Sequence, residues 1–202
     1  MTTYATLIAD TLAWLVRPDL GDTLAASFIR LAEAEIRRTL RVRAMEEQEL
    51  LTLTGFETPL PARWIQFKAV SNDVANQRPL TYMPPDRLRS SGLMDSSGVG
   101  SAYSIEGENI LVAPTNTGSI SITSYKAFAA LSSPADTNWA LTNAYDLYLF
   151  GSVAAGFDYL EDTEQEGRYR AKFEAVVKQL NREHQMAAWG TAPKSSGGRA
   201  TP

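Results

Sequence analysis

Cysteine is absent and histidine occurs once. The first absence excludes disulfides, thiol nucleophiles, iron–sulfur clusters and cysteine-type zinc sites. The second excludes metal sites built on several imidazoles, and leaves His184 as the sole base for any histidine-dependent triad. Charge of one sign is scarce too. Nineteen Lys and Arg stand against 23 Asp and Glu, a net charge of −4. Non-specific nucleic-acid binding needs a surplus of cations, which this balance lacks. No uninterrupted apolar run has membrane-spanning length. The richest stretch, Trp139 to Leu160, contains Asn143, Asp146 and Asp158 and reads as a buried helix. Met1 to Val16 lacks a basic leader and a small-residue cleavage site, so no secretory signal is expected. Nor is a membrane partner, a metal or a cofactor.

What is present suffices for a core: 44% of the 202 residues are hydrophobic. The expected fold class is α+β, mainly α: a helical bundle with an inserted small antiparallel β meander. One domain is expected over 1–190, helical over 3–48, 61–91 and 138–189 and β-rich over about 50–54 and 102–128, followed by a flexible tail over 191–202.

The pattern predicts a helix from Thr3 to Val16, where Tyr4, Leu7, Ile8, Leu12 and Leu15 recur at helical spacing. Arg17-Pro18-Asp19 breaks it, and Asp19 or Asp22 is placed to cap a second helix running to about Met45. On that helix Leu24, Ala25, Phe28, Ile29, Leu31, Ala32, Ile36 and Leu40 form an apolar arc, with Arg30, Arg37 and Arg41 on the opposite side. Glu33 stands four residues before Arg37, the favourable order for a helix ion pair, and Glu35 falls within the apolar arc, three residues before Arg38.

Leu50 to Thr54 reads as a short strand. Pro61 is placed to open a short helix carrying Trp64, Ile65, Phe67 and Val70 to about Asn72. Tyr103-Ser104-Ile105 and Ile110-Leu111-Val112 flank Glu106-Gly107-Glu108-Asn109 as a hairpin, and the alternation from Ser119 to Phe128 adds a third strand after a turn at Asn116-Thr117-Gly118. Asn138 or Asn143 caps a helix to about Leu160 whose middle holds Gly151 and Gly156. Such glycines cost stability in a helix and usually admit the close approach of another backbone. Thr163 with Glu166 forms a capping-box pattern opening a last helix to about Trp189.

Catalytic signatures are weak throughout. His184 lies on the apolar stripe of the last helix, as a packed or interface histidine would. Glu106 and Glu108 flank a glycine on an exposed turn, which offers no desolvation to raise a pKa. Asp158, Glu161, Asp162, Glu164 and Glu166 lack calcium-loop spacing and suit a helix junction. Ser96 to Ser101 lacks the lysine of a phosphate loop. The chain is therefore read as one that acts through its surfaces, not as an enzyme.

The order of segments carries a resemblance. Leu15-Val16-Arg17-Pro18-Asp19-Leu20 leads into Phe28-Ile29-Arg30-Leu31-Ala32-Glu33-Ala34-Glu35-Ile36-Arg37-Arg38. Leu60-Pro61 precedes Trp64 and Phe67, and Tyr103 to Pro114 forms a hairpin closed by proline. Tyr125-Lys126 and Leu131-Ser132 come before Thr137-Asn138-Trp139-Ala140-Leu141 and Asp146 to Gly151. Over about residues 4–189 this layout resembles the head-to-tail adaptor, or connector, proteins of tailed bacteriophages, short-tailed ones in particular.

The resemblance implies a homo-oligomer, a dodecameric ring beneath the portal protein in the virion neck, assembled in the host cytoplasm. The ring would extend the DNA channel, passing DNA without specific binding, and would dock the downstream tail or nozzle protein. On this reading Arg30, Glu35, Arg37, Arg41, Gly151 and Gly156 serve subunit interfaces, and Trp189, Lys194 and Arg199 belong to a tail that docks on the portal. Another neck role (stopper or tail completion), a cell-wall hydrolase using Glu106 or the acidic cluster, and DNA binding through the arginines are the alternatives.

Overall fold

The computed structural model describes residues 2–72, 78–96, 98–114 and 118–188. The chain forms two compact units, residues 1–43 with 130–202 and residues 44–129. Helix makes up 51% of the described residues and strand 23%, in two sheets of three and four strands, so the β structure is a body of its own and not a small meander inserted in a bundle.

The first unit is helical. It contains α1 (Tyr4–Leu15), α2 (Gly21–Thr39), α4 (Trp139–Asn143), α5 (Tyr145–Tyr159) and α6 (Thr163–Ala188). Thr3 and Thr6 cap α1 reciprocally, each side chain accepting from the other's backbone N–H. No side chain caps α2; Asp19 instead pairs with Arg17 at 2.9 Å. Asn138 Oδ1 accepts from Leu141 N–H at 2.9 Å and starts α4, and the break at Ala144 divides what the pattern presents as one helix. Asp162 caps α6 by accepting from Gln165 N–H at 3.1 Å, one residue before the predicted box. The core of the unit gathers Leu7, Leu15, Ala25, Ile29, Ala32, Ile36, Leu147, Tyr148, Val153 and Phe173, each 3% exposed or less. Burial of this kind contributes about 25 cal/mol per Å² of apolar area.

The second unit contains β1 (Glu46–Thr52), β2 (Glu57–Pro59), β3 (Trp64–Asn72), β4 (Thr81–Tyr82), α3 (Pro85–Ser90), β5 (Ala102–Glu106), β6 (Asn109–Ala113) and β7 (Ser119–Lys126). One sheet has the order β1-β7-β3, the other β2-β6-β5-β4. The hairpin β5–β6 forms in the predicted register, with Ile105 opposite Ile110. The meander does not form. β7 leaves β6 and pairs antiparallel with β1 and β3 in the other sheet. The physical reason is that β6 and β7 are both buried strands with a partner on each edge, and each becomes the interior strand of its own sheet. Leu53, Val70, Leu80, Ile110, Val112, Ile120 and Ile122 form the core that draws from both sheets. Leu111 and Ala113, on the other face of β6, pack with Leu88 of α3 and Ala102.

The helix expected to about Asn72 is also corrected: Trp64 to Asn72 is a strand. Its register against β7 slips between Trp64 and Gln66, and again between Phe67 and Ala69. Each slip adds one unpaired residue to β3. Trp64, Phe67 and Val70 therefore face Lys126, Ser124 and Ile122, a strict alternation on the partner strand. Two bulges turn a period of two into a period of three, which mimics a helix. Among the described residues of 61–91, only Pro85–Ser90 is α-helical.

Candidate functional site

Among the described residues no group of three or more His, Asp or Glu stands where it could hold a metal ion, and no helix is long and apolar enough to cross a membrane. Glu106 lies at the end of β5, paired with Arg89, which also reaches Glu57 at 3.3 Å. A carboxylate held this way on an exposed strand end is a structural partner. His184 is half-buried on α6. The chemistry on offer is that of surfaces.

The basic stripe expected on the second helix forms in part. Arg30 and Arg37 are exposed on α2, with Arg38 beside them; the helix expected to about Met45 stops at Thr39, so Arg41 lies beyond its end and is half-buried. The Arg30 guanidinium donates to Ser27 Oγ at 2.9 Å, and Arg41 donates to the carbonyls of Arg37 and Leu40. Glu33 does not serve this stripe. It turns inward, where its Oε1 accepts from Leu131 N–H at 3.0 Å and from the Tyr148 hydroxyl at 3.4 Å. Tyr148 in turn accepts from Asn138 Nδ2 at 2.9 Å. Burial pushes the Glu33 carboxyl above its ordinary pKa, while the two hydrogen bonds it accepts pull the other way. Tyr148, likewise buried, is raised. Glu35 meets Arg170 of α6 at 3.3 Å, and Arg170 also holds Glu166. Leu31, assigned to the apolar arc by its angle, is instead 59% exposed.

Gly151 and Gly156 are buried inside the helical unit. A Cβ on Gly151 would stand 3.0 Å from Ala32 Cβ and 3.1 Å from the Phe173 ring, so α5 reaches α2 and α6 there. A Cβ on Gly156 would stand 2.5 Å from Leu15 of α1. Trp189, Lys194 and Arg199 lie outside the described residues, as do Asn116, Thr117 and the segment 191–202.

Sequence reasoning missed an aromatic surface. Phe157 and Tyr169 stack at 5.5 Å with planes 13° apart; Trp14 and Phe150 join at 6.0 Å and 6.3 Å from Tyr169 and its neighbours. Lys172 Nζ sits 4.6 Å from the Tyr169 ring centre and 5.3 Å from that of Phe150. Trp14 is 42% exposed. The available signal was the recurrence of aromatics on three helices, which spacing within one helix cannot reveal as a single cluster. A second exposed apolar point lies on the other side of α5. Tyr159, two residues and about 200° beyond Phe157, packs on Phe28 at 5.7 Å and is 59% exposed.

No curated protein matches the chain. A family model does, that of the SU10 adaptor protein, over residues 2–197. That span takes in both compact units, the arginine-bearing α2 and the aromatic surface, and the chain therefore belongs to this family of bacteriophage adaptor proteins.

Proposed function

We propose that copies of this chain form a ring in the virion neck, mounted beneath the portal, which extends the DNA channel and docks the next tail component. The match of the adaptor family model across residues 2–197 carries this reading. A structural adaptor family is not normally enzymatic, and the reading assigns no catalytic step. The net charge of −4 suits a conduit, since fixed cations along a channel would hold phosphates. Arg30, Arg37 and Arg41 serve a protein interface and not DNA. The segment with Trp189, Lys194 and Arg199 contacts the portal.

The test is native mass of the pure chain, alone and mixed with the portal ring of the same virion. A discrete complex with several copies per portal is expected, and its mass yields the copy number. A chain that stays monomeric with the portal present overturns the reading.

A further inference from the structure

We infer that the outward face of α2 docks on the α5–α6 turn of a second copy, so that successive copies meet head to tail. The inference rests on the ring reading above and names the surfaces that build it.

The outward face of α2 carries Arg30, Leu31, Ala34, Arg37 and Arg38, all exposed. Among the described residues none of its three arginines has an ion-pair partner. Leu31, 59% exposed, is the apolar point within this basic face. The α5–α6 turn has the complementary composition. Asp158, Glu161 and Glu164 are exposed and without an ion-pair partner among the described residues, and Tyr159 among them is 59% exposed. Each surface thus pairs one large exposed apolar side chain with several charges of a single sign, and the signs are opposite.

Within one chain the two surfaces adjoin where Tyr159 packs on Phe28, and Arg37 and Arg38 lie about two to three turns further along α2. Asn181 of α6 accepts from Arg41 N–H at 2.7 Å and donates to the Thr39 carbonyl at 3.0 Å, which fixes the end of α2 next to residue 181. The acidic turn touches α2 at Phe28, and Arg37 and Arg38 stand about 14–15 Å from that residue along the helix at 1.5 Å per residue. That exceeds the screening length of about 8 Å at physiological salt. Two different, complementary surfaces on one chain define a heterologous contact, which closes into a ring when the rotation per copy divides a full turn. Long-range attraction between them would also speed and orient association.

Three variants test this, with native mass followed against concentration in the presence of the portal ring, and circular dichroism confirming that each is folded. The first carries Arg37→Glu with Arg38→Glu, the second Asp158→Lys with Glu161→Lys, and the third all four changes. Each two-site variant should need about tenfold more protein to assemble, and the four-site chain should return to within about threefold of the natural one. The milder pair Arg37→Gln with Arg38→Gln should show a smaller loss of the same kind. Unchanged assembly in either two-site variant overturns the contact, and so does a four-site chain that assembles no better than its parents; both leave the ring reading standing. A natural chain that never assembles, with or without portal, overturns the ring reading itself.

Discussion

A Cβ placed on Gly156 would come within 2.5 Å of Leu15 Cδ1 and 2.8 Å of its Cδ2. Leu15 is only 3% exposed and has no free space to swing into, so α1 and α5 approach closely only because residue 156 lacks a side chain.

Gly156→Ala sets two effects against each other. Alanine gains about 1 kcal/mol of helix propensity. Overpacking against a buried leucine costs about 1–3 kcal/mol and often more where the neighbour is confined. We expect a net loss of about 1–2 kcal/mol, read from urea midpoints. In a Leu15→Ala background the same change should be neutral or stabilising. A loss of equal size in both backgrounds would show that Leu15 is not the obstacle.

Glu33 makes stability depend on pH in a defined sense. Its carboxyl is raised by burial above the ordinary 4.5. The folded state therefore holds the proton more tightly than the unfolded state. Its contribution is fully present below pH 4.5 and is lost as pH rises through the folded pKa. Glu33→Gln removes that dependence while keeping an acceptor for Leu131 N–H. The stability of the natural chain relative to Glu33→Gln should fall as pH rises from about 4 to 8. A flat or rising difference would contradict the assignment.

Lys126 should matter more than a surface cation. Its side chain is 9% exposed and lies 2.8 Å from Glu49 and 3.0 Å from Glu47. Lys126→Gln takes the cation from Glu49 and leaves Glu47 with Arg63 at 3.7 Å, at a cost of about 1–3 kcal/mol; both acids keep some solvent access, which limits the loss. The exposed pair Arg17–Asp19 is the control. Arg17→Ala should leave the melting temperature nearly unchanged, since water screens an exposed pair. Equal effects of the two changes in thermal melts would contradict the distinction.

Ser104 on β5 is fully buried, and its hydroxyl has no hydrogen-bond partner among the described residues. Ser104→Ala removes a desolvated polar group from a tight site without adding volume. We expect a gain of about 0.5–1.5 kcal/mol in unfolding free energy. A loss of that size would reveal a partner for the hydroxyl.

Local pattern alone determined several things about this protein. The apolar arc of α2, the Thr3 start of α1, the Asn138 cap and the β5–β6 hairpin each rest on contacts within a few residues, so neighbouring positions encode them. The order of those segments carried the likeness to phage adaptors, which the family match over residues 2–197 bears out at the level of the family. Arg30 and Arg37 of the candidate surface were legible in the same way, as one face of one helix; Arg38 was not read with them, and Arg41, which was, lies beyond the helix end.

Tertiary structure decided the rest. Strand pairing is a contact across many residues: the bulges that gave β3 a period of three appear only in its register with β7, and β7 joined β1 and β3 because β6 already had a partner on each edge. Glu33 turned inward because Leu131, 98 residues away in sequence, offers it a backbone N–H. Gly156 faces Leu15, and Trp14, Phe150 and Tyr169 meet, only when three helices pack. Periodicity records which side of an element is apolar; what that side faces is set by packing between distant segments, where the free energy of burial is collected.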